Sequence, residues 1–400
     1  MPSEKSVAVF SFAYSPFEGG AEIAAREIIT RLPKIHWKIF THRFDARWSS
    51  EESLSDHVEI IRCGSGRRYA VQEGSTTQYY GRLLDKITYI IRVYRAAERF
   101  HREQPFRAIW AMMASYGGIA ALFFKFRHPT IPFLVSLQEG DSPEHLRFGK
   151  LGLVGFFWKR ILRKADYIQV ISSYLRDFAI ARGARCPIEI VPNGVDWERF
   201  QIIVREEKIS ELKQRLGITD EYVILTTSRL VHKNGTDILI RAMQLLRRNL
   251  PNVKCVIVGD GPERNQLSDL TQKLKLESNI QFVGQVPQKE IPYYFQITDV
   301  FIRPSRSEGL GSSFLEAMAA GIPIVATPVG GIVDFLKDGE TGFVTKVDDP
   351  SDCAIQLQRA LTNVDQRKKI IIRAQQLIQE KYTWGKVVSA MSRIFGMLIK

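Results

Sequence analysis

The clearest candidates for chemistry in this 400-residue sequence are two glutamates eight positions apart, Glu308 and Glu316. Glu308 lies on a loop before a predicted helix, and Glu316 lies about one turn inside that helix, so the two carboxylates flank its start without being adjacent. A sugar nucleotide would fit this arrangement, because its sugar and ribose hydroxyls can donate hydrogen bonds to the two carboxylates. The alternative is a polar loop followed by an ordinary helix with a surface glutamate.

The backbone between the two glutamates is suited to bind phosphate. Free N–H groups at the start of a helix attract an anion, and glycine permits a close approach of the ligand. We expect a helix that runs through Ala320 and is capped by Ser312 or Ser313. The predicted phosphate-binding residues are Gly309, Leu310, Gly311 and Ser312.

Two cations follow another predicted strand in the same half of the chain, in the segment that begins at Ser228. Arg229 and Lys233 could offset the charge of a diphosphate leaving group. The alternative is that they are ordinary solvated loop cations. The sequence has no Asp-x-Asp pair, and its histidines are not spaced as metal ligands, so we expect neither a metal nor another cofactor.

Other motifs that bind common cofactors are incomplete or missing. The Gly259-Asp-Gly261 turn follows a strand, but Arg264 stands where a dinucleotide-binding fingerprint needs a third glycine. The phosphate-binding loop of common ATPases does not occur. The four cysteines are scattered, which is typical of a protein from a reducing cytosol.

The elements that must position these residues alternate between short apolar strands and amphipathic helices, which predicts doubly wound α/β domains. Strands are predicted at 7–12, 37–40, 108–112, 133–137, 167–171, 188–191, 222–227, 253–259, 280–284, 299–303 and 322–326. Ligands of such sheets bind at the carboxyl ends of the strands, where the loops with Glu308 and Arg229 would meet. A turn cluster at 192–196 predicts a boundary between a first domain at 1–200 and a second domain at 201–381. Residues 382–400 are predicted to form a C-terminal helix, and the sequence does not indicate which domain this helix packs against.

The formal net charge of +13 indicates a polyanionic partner, either nucleic acid, anionic lipid headgroups or a phosphorylated substrate. Residues 145–164, from His145 to Lys164, contain six Lys or Arg and no acidic residue among aromatic and apolar side chains. This segment is either an anionic-membrane contact or a core helix with a basic end. No nucleic-acid recognition module, membrane span or secretory signal is evident, so we expect a cytoplasmic protein, peripheral on the inner membrane face if the first interpretation holds.

The ordered motifs of the chain resemble those of family 4 retaining glycosyltransferases, which have the GT-B fold. The resemblance rests on Glu308-x₇-Glu316 together with four further stretches and spans nearly the whole chain. These stretches are 16–22 (P-x-x-G-G-A-E), 192–196 (PNGVD), 258–263 (VGDGPE) and 321–343, which contains GIPIVATPVGG and DGETGF.

The resemblance implies two facing Rossmann-like domains with a cleft between them, a nucleotide-sugar donor on the C-terminal domain and an acceptor on the N-terminal domain. It implies transfer with retention and without a metal. Glu316 would hold the ribose and Glu308 the hydroxyls of the donor sugar, while Arg229 and Lys233 would neutralise the diphosphate. Gly19 and Gly20 would approach the diphosphate from the N-terminal domain.

The sequence departs from the family pattern at two positions. Asn234 stands where the family often has lysine, and Lys233 is one residue earlier. Gln138 follows the strand at 133–137 where a histidine is usual, so a mechanism that needs an imidazole at this point is disfavoured. We therefore expect front-face transfer, in which the leaving phosphate assists the acceptor hydroxyl.

The predicted function is transfer of a sugar from a UDP- or GDP-sugar to a glycan or lipid-linked acceptor in cell-envelope polysaccharide or glycolipid synthesis. Two other interpretations stay open. One is another activity on the same fold, such as a sugar-nucleotide epimerase; a phosphorylase would need a pyridoxal lysine motif that is not found. The other is a catalytically silent binding subunit, against which the intact Glu308 and Glu316 pair argues.

Overall fold

The computed structural model describes residues 5–16, 19–66, 83–140, 153–202 and 205–399. The chain divides into two compact units. The first contains the described residues up to Gly194 and again those from Trp384, and the second is Val195–Thr383. Each unit has its own mostly parallel sheet flanked by helices, which confirms the predicted α/β class.

The described residues of the first unit form eight strands: β1 (Ser6–Phe10), β2 (His36–His42), β3 (Glu51–Ser55), β4 (Val58–Cys63), β5 (Ala108–Met112), β6 (Phe133–Leu137), β7 (Tyr167–Val170) and β8 (Ile188–Ile190). Their order across the sheet is β3-β4-β2-β1-β5-β6-β7-β8. Neighbours are parallel except for β3 and β4. The central strands β1, β5 and β6 are buried on both faces, as continuous apolar runs predict.

Five described helices precede the second unit: α1 (Gly20–Thr30), α2 (Leu83–Glu103), α3 (Tyr116–Arg127), α4 (Leu153–Lys164) and α5 (Ser173–Ala181). Parallel strands need such crossovers, and α2 and α3 pack against each other beside the sheet. None of the described helices of the chain is long and apolar enough to cross a membrane.

The second unit contains six strands: β9 (Tyr222–Thr227), β10 (Val253–Val258), β11 (Ile280–Gly284), β12 (Val300–Arg303), β13 (Ile324–Ala326) and β14 (Phe343–Val344). All neighbours are parallel, in the order β11-β10-β9-β12-β13-β14. The strands β9 and β12 are direct neighbours, so the loops that follow them meet at one edge. Those loops carry Arg229 and Glu308.

The helices of the second unit are α6 (Trp197–Gln201), α7 (Glu206–Leu216), α8 (Thr236–Asn249), α9 (Arg264–Lys273), α10 (Ile291–Gln296), α11 (Ser312–Ala319), α12 (Pro350–Thr362) and α13 (Val364–Lys381). The core of this unit lies between the sheet and the apolar faces of α8 and α12. Short 3₁₀ turns occupy His232–Asn234 and Gly330–Asp334, and both border the loops of interest.

A last helix, α14 (Trp384–Leu398), returns to the first unit. The Phe395 ring centroid lies 4.9 Å from that of Trp37 and 5.3 Å from that of Trp110, so this helix completes the core of the first unit. The predicted segment 382–400 had no assigned docking site, and its contacts are with the first sheet.

The division between the units falls between Gly194 and Val195, not at the predicted 200/201. The Val195 N–H donates to the Tyr382 carbonyl at 2.7 Å, which ties this segment to the end of α13. The Phe200 ring packs 5.6 Å from Phe295 of α10. The turn cluster therefore ends the first unit, and α6 already belongs to the second.

Candidate active site

The loop after β12 is organised by a buried arginine, Arg303, which is only 6% exposed. Its guanidinium donates to Ser305 Oγ at 3.1 Å, to Ser313 Oγ at 3.0 Å and to Glu308 Oε2 at 2.5 Å. It also lies over the Phe314 ring, 4.7 Å from the centroid. One side chain thus joins the end of the strand, the loop and the first turn of α11.

Glu308 is held at both its side chain and its backbone. Besides the bond from Arg303, Glu308 Oε1 accepts from the Gly309 N–H at 2.9 Å. The Glu308 carbonyl accepts from the Gly331 N–H at 3.2 Å, and a Cβ on Gly330, which has φ +54°, would lie 1.8 Å from that oxygen. Each carboxylate oxygen keeps a further lone pair, so Glu308 can still accept from ligand hydroxyls.

The start of α11 has no side-chain cap. Its N-cap residue is Gly311, at φ +87°, and no side-chain cap is formed within the described part of the chain. The prediction that Ser312 or Ser313 caps this helix was wrong, because the Ser313 hydroxyl instead accepts from Arg303. A Cβ on Gly311 would lie 2.8 Å from Arg303 Nη2, so the tight turn requires glycine. The uncapped N–H groups and the helix dipole favour an anion.

Glu316 lies on the second turn of α11 in a crowded, only partly exposed position. Removal from water raises the pKa of its carboxyl to about 7, although the nearby charges of Arg199 and Arg303 act to lower it. Arg303 therefore influences both glutamates directly. The predicted pair is brought to one site, and the arginine between its members was not predicted.

The loop after β9 lies against the loop after β12. Arg229 is exposed and Lys233 half-buried. The Lys233 carbonyl accepts from the Arg306 N–H at 2.7 Å, and a Cβ on Gly235 would lie 2.0 Å from the Pro304 carbonyl oxygen. The structure thus confirms that the two loops meet.

Asn234 stands at the position where the family often has lysine, but it does not lie at the surface. It is buried, and its Nδ2 donates to the Arg229 carbonyl at 2.6 Å, which closes the turn. The motif at 258–263 also holds this turn in place, because the Leu230 N–H donates to the Asp260 carbonyl at 2.9 Å. In this chain Asn234 shapes the loop, and Lys233 supplies the charge beside it.

A second arginine that the sequence analysis did not select, Arg306, locks the two loops together. It forms a bidentate pair with Asp237, at 2.8 Å for both oxygens, and bonds Asp348 Oδ1 at 2.6 Å. It also donates to the His232 carbonyl at 2.6 Å. Burial acts to raise the pKa of Asp237, but the hydrogen bonds and charge of Arg306 hold that pKa below its ordinary value. Because the Arg306 guanidinium is paired with Asp237 and Asp348, its role is structural.

Gln138, at the end of β6 in the first unit, forms a reciprocal amide pair with Asn193. Its Nε2 donates to Asn193 Oδ1 at 3.0 Å, and Asn193 Nδ2 donates back at 2.8 Å. The next residue, Glu139, is 3% exposed and accepts the N–H groups of Gln138 and Ala114 at 2.9 and 2.7 Å. Sequence reasoning selected Gln138 but missed its two neighbours.

Gly19 and Gly20 begin α1, also in the first unit. The Gly19 N–H donates to Glu22 Oε2 at 2.9 Å, so a glutamate within the helix caps the turn from behind. A Cβ on Gly20 would meet nothing within 4 Å. The backbone at Gly20 is therefore open to a ligand. Across the described part of the chain, no group of three or more His, Cys, Asp or Glu is arranged to hold a metal ion.

Two protein-family models match the chain and together account for most of it. Residues 19–194 match the model described as "Glycosyl transferase 4-like domain", and residues 208–377 match the one described as "Glycosyl transferases group 1". The chain belongs to the family 4, or group 1, glycosyl transferases. The family resemblance carried by Glu308-x₇-Glu316 is confirmed.

Solved structures show the fold of this glycosyl transferase. Sucrose-phosphate synthase from Thermosynechococcus elongatus has a TM-score of 0.81 at 19% identity, with 98% of this chain and 99% of that one covered. The Anabaena protein Alr3699/HepE, in complex with UDP and glucose, has a TM-score of 0.76 at 20% identity over 98% and 100%. The predicted GT-B class is confirmed.

A curated relative of this glycosyl transferase is the GDP-mannose-dependent alpha-(1-6)-phosphatidylinositol monomannoside mannosyltransferase of Mycolicibacterium smegmatis. The two are 37% identical over 194 residues, which make up 46% of this chain and 50% of the relative. The chain thus spans about half the length of the curated relatives it matches.

Proposed function

We propose that this protein is a retaining, metal-independent glycosyltransferase that moves a sugar from a UDP- or GDP-sugar to a glycan or lipid-linked acceptor in cell-envelope glycolipid or polysaccharide synthesis. The observation that carries the proposal is the placement of Glu308 and Glu316 on either side of the uncapped start of α11, with Arg303 acting on both. Membership of the family supports it, as does the Mycolicibacterium smegmatis relative, which is a GDP-mannose-dependent phosphatidylinositol monomannoside mannosyltransferase.

The donor would bind the second unit. Its phosphates would accept from the N–H groups of Leu310, Gly311 and Ser312, whereas the predicted Gly309 N–H already donates to Glu308 Oε1. Its ribose hydroxyls would donate to Glu316. The hydroxyls of the donor sugar would donate to the free lone pairs of Glu308. Arg229 and Lys233, on the adjoining loop, would bind the diphosphate, whose charge grows as it leaves.

The acceptor would bind the first unit, near Gln138. Its hydroxyl oxygen attacks the anomeric carbon on the face from which the diphosphate departs. The bond from that carbon to the phosphate oxygen breaks, and the departing oxygen takes the proton of the hydroxyl. The new glycosidic bond keeps the original configuration. An amide such as Gln138 cannot remove a proton, and this route needs no protein base.

The reaction class is tested by the release of nucleoside diphosphate from UDP- and GDP-sugars, with and without acceptor extracts. We expect release that depends on the acceptor and persists in the presence of a metal chelator. NMR should show that an axial anomeric linkage in the donor becomes an axial anomeric linkage in the product. Inversion of the anomeric configuration would contradict the proposal. So would a loss of activity in the chelator if added metal restores that activity.

Arg229→Ala tests the role of the adjoining loop. We expect turnover to fall by about tenfold or more with a smaller change in donor affinity, because the guanidinium acts on charge that develops in the transition state. An equal loss of affinity at unchanged turnover would argue against this assignment.

We also propose that α4 contacts an anionic membrane surface, which would make the enzyme peripheral on the inner face of the cell membrane. Trp158 is buried in the core, whereas Phe156 is 50% exposed. Arg160 lies 4.5 Å from the Phe156 ring centroid, and Lys164 lies 5.6 Å from the ring centroid of the exposed Phe126 on α3. Residues 145–152 of the predicted basic segment lie outside the described residues.

The helix thus combines both interpretations of the sequence, since one face packs in the core and the other is basic and aromatic. Replacement of the exposed cations by Gln should release the protein from anionic vesicles at low salt, because each contributes about 1 kcal/mol. These are Lys159, Arg160, Arg163 and Lys164. Phe156→Ala should weaken sedimentation without unfolding, whereas the core variant Trp158→Ala should unfold. Sedimentation that is equal with zwitterionic vesicles would refute the contact.

A further inference from the structure

A recess on the first unit, formed where the second half of α2 meets the end of α3, has a volume of about 400 Å³. Arginines outnumber glutamates two to one among its charged lining residues. Three of the arginines, Arg95, Arg99 and Arg102, recur at positions that share one face of α2, and α3 supplies Arg127. Two helices therefore direct guanidinium groups towards one concave surface.

Two glutamates, Glu98 and Glu103, also line the recess, and Glu98 is paired with a histidine. Glu98 Oε1 lies 2.9 Å from His128 Nε2, and Arg99 is paired with Glu51 of β3 at 2.7 Å. Among the residues that the structure describes, no carboxylate lies within 4.0 Å of the guanidinium nitrogens of the other three arginines. The four arginines exceed the two glutamates of the lining by two positive charges, and a bound anion would offset that excess.

The chemistry of the lining selects for phosphate among common anions. A guanidinium donates through a planar fork that matches two oxygens of one phosphate, and it stays charged at any physiological pH. Arginines that approach from two helices can engage different oxygens of a terminal phosphate or of a diphosphate. A carboxylate has only two oxygens and one charge, so it would leave part of the lining unpaired.

The recess lies away from the edge of the sheet that carries Gln138. The helix α2 ends at Glu103, just before the first residue of β5, and α3 ends at Arg127, just before the first residue of β6. Because β5 and β6 are parallel, their first residues meet at the amino-terminal edge of the sheet, opposite the end at which Gln138 follows β6. A ligand here is therefore separate from the proposed acceptor.

We propose that this recess is a second anion site, which binds a phosphate group carried either by an anionic lipid headgroup or by a free phosphate compound. The site holds whether or not the chain transfers sugar.

The site is tested with inorganic pyrophosphate as the probe, by titration calorimetry on the full chain in an Arg229→Ala, Lys233→Ala background. That background removes the two proposed cations of the diphosphate contact in the second unit, and the backbone N–H groups at the start of α11 are the same in every variant compared. A failure of the proposed function therefore does not affect the difference that is measured. We expect Arg95→Gln with Arg127→Gln to weaken pyrophosphate binding by about tenfold or more, since two charge-assisted contacts are lost. Arg95→Lys with Arg127→Lys should recover part of the affinity.

The matched control is Arg241→Gln with Arg248→Gln, two exposed arginines of α8 whose loss changes the net charge equally. It should alter the affinity less than twofold. A second experiment compares how much protein sediments with phosphatidic acid vesicles and with phosphatidylserine vesicles of equal surface potential. Arginine-dependent heat without a vesicle preference identifies a free phosphate compound, and an arginine-dependent preference for phosphatidic acid identifies a lipid headgroup. If neither depends on Arg95 and Arg127, or if the control variant loses as much, the proposal is overturned.

Discussion

Glu308 in the second unit is fixed by a charged partner, the buried Arg303, whereas Gln138 in the first unit is fixed by a neutral partner, Asn193. Loss of a neutral amide partner costs only the net value of its hydrogen bonds, whereas loss of a charged partner leaves an uncompensated charge in a partly buried place. The second unit therefore has a site that is rigid and complementary to an anion. The first has a neutral amide pair, whose loss is expected to cost less.

The largest effect is expected from Arg303→Met. Removal of the guanidinium leaves Glu308 without its ion pair and takes away one charge that lowers the pKa of Glu316. We expect a loss of about 3–5 kcal/mol in the free energy of unfolding, measured by urea denaturation, together with loss of nucleotide binding. Arg303→Lys should retain part of both. A stable variant with unchanged nucleotide affinity would remove Arg303 from the site.

Glu316→Gln separates binding from stability. The amide should weaken nucleotide binding at pH 8 by about ten- to a hundredfold in calorimetry, because a charge-assisted acceptor is lost. Ribose hydroxyls that donate to the ionised form would lower the pKa of Glu316 from about 7, so wild-type affinity should fall as pH decreases through 7. The affinity of the Gln variant should not follow pH in this range.

The stability of the unliganded protein should change in the opposite direction. The folded-state pKa of Glu316 is about 7 and its ordinary value is 4.5, so the folded state binds this proton more tightly than the unfolded chain. Stability is therefore lost as pH rises from about 4.5 to 7. Glu316→Gln should recover up to about 3 kcal/mol at pH 8 and little at pH 4. Equal melting temperatures of the two proteins at pH 8 would contradict this account.

Arg306→Gln tests whether the loop with Lys233 depends on its anchor. The variant loses the bidentate pair with Asp237 and the bond to the His232 carbonyl, so the loop should lose its fixed position. We expect turnover to fall by about tenfold with less than a threefold change in nucleotide affinity. Arg359→Gln, which breaks a pair with Asp338 elsewhere in this unit, is the control and should change only thermal stability.

The smallest effect is expected at the amide pair of the first unit. A double-mutant cycle on Gln138→Ala and Asn193→Ala should give a coupling energy of about 1 kcal/mol in unfolding experiments. Nucleotide affinity should stay unchanged in all three variants. A coupling as large as that between Arg303 and Glu308 would remove the contrast between the two units.

The sequence predicted the central strands because parallel strands buried on both faces are continuous apolar runs. It did not predict β3, whose residues Glu51–Ser55 are all exposed and pair antiparallel with β4 at the sheet edge. It placed Glu308 and Arg229 in loops that do meet, because parallel strands end at one edge of a sheet, and it placed Glu316 in the helix that follows the first of these loops.

The sequence did not indicate the partners of these residues, because partner choice depends on packing. Arg303 ends an apolar strand, and its burial follows from the tight turn at Gly311 and the ring of Phe314. The predicted serine cap does not form for the same reason, because the Ser313 hydroxyl accepts a hydrogen bond from Arg303 instead. An arginine at the end of an otherwise apolar strand, followed five residues later by a glutamate, was the available signal.

The docking of α14 has a consequence for the order in which the protein matures during synthesis. The rings of Trp37 and Trp110 pack against Phe395, which leaves the ribosome only after the whole of Val195–Thr383. The described residues of the second unit all lie within Val195–Thr383, so this part can fold while the first unit still exposes part of its apolar core. The unit that is translated first is thus completed last, and its unfinished surface is the one that chaperones would protect.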